Sequence, residues 1–381
     1  MDNDLREQIG ATAFAFRGYN ITNLGRSDEL LAHRVYGPFV EQHLKQAGEI
    51  CADVTHTEVN LLERVRQRQE PTLDTYHESI ALIVAMELAQ IQLMEEVLEV
   101  PYPQAKLAFG YSLGELAALA CGGVFGMAEA LTVPLSMARE CAELSRNVTM
   151  GVFFSRGPAL DLDQVQRLCL RINHEGKGVI GVSSILSPNT MLLLGQDATT
   201  GRFQELMTDF FKYKVYLRVN HERWPPLHTP IMWQCHIPNR AAVMMHTMPG
   251  GFVAPTPPMI SLVTGKKSYA DHNVRDILAR WVDHPQRLWD AVYETLASGA
   301  RTVVHVGPDA NLIPATFKRL SDNVTAQVSG RSLGSLGMRA ISGMARRQWL
   351  STVLPSRAAL LRAPSVRHVM LEDWLLEQPV G

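Results

Sequence analysis

Cysteine is scarce in this chain and falls into no pattern. The 381 residues include five, Cys51, Cys121, Cys141, Cys169 and Cys235, and no C-x-x-C pair. That excludes a disulfide frame and a thiolate zinc site, and it predicts reduced, mostly buried thiols in a cytoplasmic protein. Long hydrophobic runs are absent as well. No apolar stretch reaches the ~18 residues that span a bilayer, and the acidic start Met1-Asp2-Asn3-Asp4 leads into no signal core. An excess of one charge is also missing. Lysine plus arginine (36) nearly balance aspartate plus glutamate (38), so nothing marks a nucleic-acid binder or a disordered chain. Repeats and low-complexity linkers are not found. What remains is the composition of an ordinary globular enzyme, 46% hydrophobic and 19% charged, long enough for one large α/β domain with an insert or for two domains.

Within that background Gly110-Tyr111-Ser112-Leu113-Gly114 stands out by its flanks. Lys106–Phe109 is apolar enough for a buried strand, and Leu113–Cys121 is patterned as a helix. A G-x-S-x-G between strand and helix is a nucleophile elbow: the sharp turn needs small flanking residues and lifts the Ser Oγ above the sheet. It also aims the first N–H groups of the helix at an oxyanion beside that Ser. Ser112 is therefore the candidate nucleophile, against the plain alternative of a Ser in a tight turn.

Periodicity places strands at 12–16, 259–263 and 302–306, and helices at 38–51, 79–99, 128–147, 274–282 and 288–298. Pro134 should kink the 128–147 helix. Between them, 150–222 has the order β-α-β-β-α-β, a ferredoxin-like insert. The reading is thus an α/β-hydrolase-like domain over 1–149 and 223–324, a ferredoxin-like subdomain over 150–222, and a tail over 325–381. That tail carries seven arginines between Arg331 and Leu371 with no lysine and no acidic residue. It is readable as a strap packed on the main domain or as a docking segment for an acidic partner.

An activated Ser needs a base, and His is the usual one. Of thirteen histidines, His228 stands on a proline-stiffened loop, Pro225-Pro226-Leu227-His228-Thr229-Pro230. His77, His221 and His305 remain open on residue pattern alone.

Three ordered segments narrow the choice: Tyr111-Ser112-Leu113-Gly114-Glu115, Leu227-His228-Thr229-Pro230-Ile231-Met232 and Val306-Gly307-Pro308-Asp309-Ala310-Asn311-Leu312. Over about residues 10–320 the chain resembles the malonyl-CoA:acyl-carrier-protein transacylases and the acyltransferase domains of polyketide and fatty-acid synthases. The resemblance implies a Ser112–His228 dyad, a His-orienting carbonyl at Trp281, and an oxyanion hole from the main-chain N–H groups of Leu113 and Tyr19. It implies acyl-CoA and an acyl carrier protein as substrates and no cofactor, beside the composition's own indications of no metal, no nucleic-acid partner and no membrane span.

The chain also departs from that family. Where malonyl-using members carry an Arg after the elbow helix, a gapless alignment puts Met137, with Arg139 two residues on and available only after a shift at Pro134. Tyr111 and Tyr19 replace the family's elbow His and first-loop Gln, its pocket Gln falls near His77-Glu78, and Leu227 precedes the base. A malonyl carboxylate buried without its Arg would cost several kcal/mol. A pocket of Tyr111, Tyr19, Met137 and Leu227 therefore suits an uncharged acyl group. The function expected is acyl transfer through an acyl-Ser. A hydrolase that strips carrier proteins and a non-catalytic synthase partner are the alternatives.

Overall fold

The computed structural model describes residues 4–329 and 358–380, with the side chains of residues 4, 221 and 327–329 left aside. Its strands, in chain order, are β1 (Thr12–Phe16), β2 (Leu107–Gly110), β3 (Val148–Ser155), β4 (Ile180–Ser187), β5 (Thr190–Gln196), β6 (Val215–Arg223), β7 (Met259–Ile260), β8 (Thr302–Val306) and β9 (Arg367–Met370).

The central sheet is parallel, in the order β7-β2-β1-β8-β9. Its inner strands are largely apolar because both faces are covered. On β1, Phe14 and Phe16 pack toward the helices Gly37–Thr55, Tyr76–Glu96 and Leu113–Cys121, while Ala13 and Ala15 face Leu288–Ala297 and Leu312–Ser329. No described helix is long and apolar enough to cross a membrane.

The insert folds as an antiparallel sheet in the order β4-β5-β3-β6. The helices Leu162–Asn173 and Thr199–Phe210 cover one face, on a core of Phe153, Leu193 and Phe203. With β-α-β-β-α-β connectivity this is the ferredoxin-like arrangement. It spans Val148 to Arg223, close to the expected 150–222.

Two expectations change. The 128–147 helix is two helices, Met127–Ser136 and Ala138–Leu144, parted at Met137. Pro134 cannot donate to the turn before it, and the axis breaks one turn later. The tail does not begin at 325, since the last long helix runs on to Ser329. Residues 358–380 are a packed strap: β9 adds to the sheet beside β8, and the helix Leu371–Leu376 buries Leu371, Trp374 and Leu375. Arg362 donates to the Leu296 carbonyl at 3.0 Å. Arg331, Arg339, Arg346, Arg347 and Arg357 lie outside the described residues, and the docking reading falls on them.

Candidate active site

Strand β2 ends at Gly110 and the elbow helix begins at Leu113, so the chain reverses within Tyr111 and Ser112. Two glycines make that possible. A Cβ on Gly110 would strike the main chain of Gly114, and one on Gly114 would strike the carbonyls of Phe16 and Arg17. Ser112 itself sits at φ 54°, ψ −118°, a strained conformation that persists only where its surroundings hold it.

Several groups hold it. The Trp281 indole N–H donates to the Ser112 carbonyl at 2.9 Å. The Ser112 N–H donates to Gln286 Oε1 at 3.0 Å. One turn on, Glu115 accepts from the Leu262 N–H at 3.1 Å and the Tyr269 hydroxyl at 2.7 Å, and burial pushes its carboxyl up to about 7.

His228 arrives on the loop after β6, also at positive φ, 66°. Its N–H donates to the Val282 carbonyl at 2.7 Å, and Thr229 caps the turn that follows. Nε2 lies 2.7 Å from Ser112 Oγ and Nδ1 lies 2.7 Å from the Trp281 carbonyl. A carbonyl can only accept, so Nδ1 carries the proton and Nε2 offers its lone pair to the Ser hydroxyl. Burial pushes the imidazole down to about 4, only partly offset by the Trp281 carbonyl and the Asp283 charge. The imidazole is thus neutral at neutral pH, with Nε2 able to take a proton.

Beside the elbow runs the first loop. A Cβ at Gly18 would lie 2.6 Å from the Tyr111 carbonyl and 3.2 Å from Ser112 Cβ, so the main chain before Tyr19 passes directly over the nucleophile. Leu113 opens the elbow helix, where N–H groups have no intrahelical partner. Both proposed oxyanion donors therefore border Ser112. Arg17 braces the loop from beneath. It is buried, and its guanidinium donates to the carbonyls of Gly18 (2.8 Å), Thr22 (3.1 Å) and Pro308 and to Asn23 Oδ1 (2.9 Å).

Not every expected residue reaches the site. Tyr19 and Tyr111 line a cavity next to Ser112, but Met137 and Leu227 do not. Met137 ends its helix at the Pro134 break and packs into the core, and Leu227 is buried with its carbonyl accepting from Ser183 Oγ. Arg139 does not reach that cavity either: it is 88% exposed and pairs with Glu143 one turn along its helix. Of the other histidines, His305 is bonded to His368 at 2.9 Å, and His77 sits on a separate groove. Gln286 and Arg17 were missed. Gln286 lies five residues after Trp281, but nothing local marks it as a partner of Ser112.

No family model matches the chain. It is 23% identical over 317 residues to the polyketide synthase GfsA of Streptomyces halstedii, a match that takes in 81% of this chain and 4% of that synthase. It is 23% identical over 327 residues to the malonyl CoA-acyl carrier protein transacylase of Bacillus subtilis, covering 84% of this chain and 74% of that enzyme. Among solved structures, a malonyl-transacylase in complex with a type II polyketide synthase acyl-carrier protein superposes with a TM-score of 0.62. The identity there is 21%, over 80% of this chain and 91% of that one. Relatives by sequence and neighbours by structure alike are malonyl-CoA:acyl-carrier-protein transacylases and polyketide synthase acyltransferases, and this chain has their fold.

Proposed function

We propose that this protein is an acyltransferase that moves an acyl group from acyl-CoA, through an ester on Ser112, to the phosphopantetheine thiol of an acyl carrier protein. The observation that carries the reading is the continuous line from Ser112 Oγ to His228 to the Trp281 carbonyl. Ser112 Oγ attacks the thioester carbonyl while His228 Nε2 takes its proton. The C–S bond breaks, and the proton passes to the departing CoA sulfur. A carrier thiol then gives its proton to His228 as its sulfur attacks the ester, and Ser112 leaves with that proton. Main-chain N–H groups of Leu113 and Tyr19 would hold the oxyanion in both halves. The named relatives support the carrier protein as acceptor.

The acyl group we infer is uncharged. The one charged residue lining the cavity beside Ser112 is Arg17, whose guanidinium is taken up by Gly18, Thr22, Asn23 and Pro308, while Met137 is buried in the core and Arg139 faces solvent. Incubation with a panel of acyl-CoAs, followed by intact mass with and without carrier protein, tests both halves. Acyl groups should appear on Ser112 and move to the carrier. Ser112→Ala should carry none, and His228→Ala should slow labelling by ~10⁴-fold or more. Release of free acid as fast with carrier as without it would make the protein a hydrolase, and faster labelling by malonyl-CoA than by acetyl-CoA would overturn the uncharged preference.

A further inference from the structure

The small sheet carries apolar side chains on both faces. Phe153, Met191 and Leu193 pack under its two helices. The alternate residues Met150 and Val152 of β3 and Leu192 and Leu194 of β5 point the other way and line a cavity of about 300 Å³. Val152 stands opposite Leu192 and Met150 opposite Leu194 in the antiparallel register, so the four make one continuous apolar wall. Gly18, Tyr19 and Tyr111 lie on its other side, the same residues that flank the nucleophile. The cavity therefore opens beside Ser112 and runs toward the small sheet.

Its chemistry is selective. Arg17 is the one charged residue in the lining, and its guanidinium is turned onto Gly18, Thr22, Asn23 and Pro308. A carboxylate entering the cavity would meet no free cation in its lining; Arg218, opposite Val152, and Arg319 stand on the groove that adjoins it. An amide laid against Met150, Val152, Leu192 and Leu194 would lose its water there, and partners for it stand only at the rest of the lining, on Asn20, Ser183, Asn220 and Asn311. A methylene chain would lose nothing and would gain burial.

We propose that this cavity seats the hydrocarbon chain of the acyl group esterified to Ser112, and that Val152 and Leu192 set the chain length it takes. The proposal rests on the acyl-enzyme reading above. It extends that reading from the absence of a charge to a place for a chain.

The test is the initial rate of Ser112 acylation by acetyl-, butyryl-, hexanoyl-, octanoyl- and decanoyl-CoA, read by intact mass. In the wild type, kcat/KM should rise roughly fourfold per added methylene until the cavity is full. Leu192→Trp should lower the octanoyl-to-acetyl rate ratio by about tenfold or more, because the indole occupies the space of several methylenes. Val152→Phe narrows the same cavity from the neighbouring strand and serves if Leu192→Trp unfolds at a lower temperature. A flat wild-type profile, or a ratio that both variants leave unchanged, overturns the proposal while a labelled Ser112 still upholds the acyl-enzyme on which it rests. Failure of every acyl-CoA to label Ser112 sinks the acyltransferase reading, and this proposal with it.

Discussion

His228 is the residue whose surroundings most directly set a measurable property. Burial holds it near a pKa of about 4, against 6.5 for a free imidazole. It therefore stays an available base well below neutrality. Ser112 acylation should be nearly constant from pH 7 to pH 5.5, whereas an unshifted His would fall to about one-tenth over that span. Stopped-flow acylation with a short acyl-CoA decides between the two. Gln286 is the residue that supports the nucleophile without touching substrate. Gln286→Leu leaves the Ser112 N–H buried and unpaired, a cost of ~1–3 kcal/mol that should slow acylation about 5- to 100-fold. KM for acyl-CoA should change little, since the loss is in the nucleophile's placement, and equal losses in kcat and binding would point to general disorder of the site instead. Ser112 was legible in the sequence because an elbow is written in five consecutive residues. Gln286 was not, because its partner lies 174 residues away and one buried amide has no local pattern.

Among the elements, β9 shows the limit of periodicity most clearly. Arg367-His368-Val369-Met370 is four residues with one buried side chain, too short and too mixed to read as a strand. It forms because the edge of β8 offers unpaired main-chain groups, and each residue of that edge lies 65 positions earlier in the chain than its partner, as in Thr302 with Arg367. The longer strands and the ferredoxin-like insert were legible because their apolar repeats are local. The break at Met137 was half legible: Pro134 gave the place, but not that the helix would stop. Pairing β9 with β8 also sets His368 against His305, Nδ1 to Nε2 at 2.9 Å, with the Phe317 ring tilted against His368. Burial pushes His305 down to about 3 and His368 to about 4. Their folded values lie below the unfolded 6.5, so the unfolded chain binds protons first as pH falls. Stability from the pair is full above about pH 6.5 and is lost on acidification toward 4. From pH 7 to 5 each imidazole should remove ~2 kcal/mol, by order of magnitude. His368→Phe should shrink the pH 7-to-5 drop in urea-unfolding free energy by about one such contribution, though it lowers stability at pH 7. An unchanged drop would mean the pair does not titrate with unfolding.

At the scale of the whole molecule, the C-terminal segment is tied to the loops around the nucleophile. Glu372, partly shielded from solvent, accepts from the Arg26 N–H and the Asp309 N–H, both at 2.9 Å. Arg26 also pairs with Asp373 at 2.9 Å. The first of those N–H groups closes the loop that carries Tyr19. The second belongs to the Gly307-Pro308-Asp309 turn, whose Pro308 carbonyl receives Arg17. One carboxylate thus joins the strap to both walls beside the elbow. Removing residues 358–381 would strip Leu360, Val369, Leu371, Trp374 and Leu375 from the core, at ~1.5–3 kcal/mol for each large side chain. That sum rivals the 5–15 kcal/mol typical of a folded protein, so the truncated chain should show no cooperative thermal transition. Glu372→Ala separates the tie from the packing. It leaves the strap's apolar side chains in place but removes the acceptor of two main-chain N–H groups. The expected outcome is a folded protein with a modestly lower melting temperature and slower acylation of Ser112, with hydrogen exchange raised at residues 17–26 and 307–311. Exchange raised only within 367–376, with acylation unchanged, would show that the strap closes the sheet and leaves the active-site loops to hold themselves.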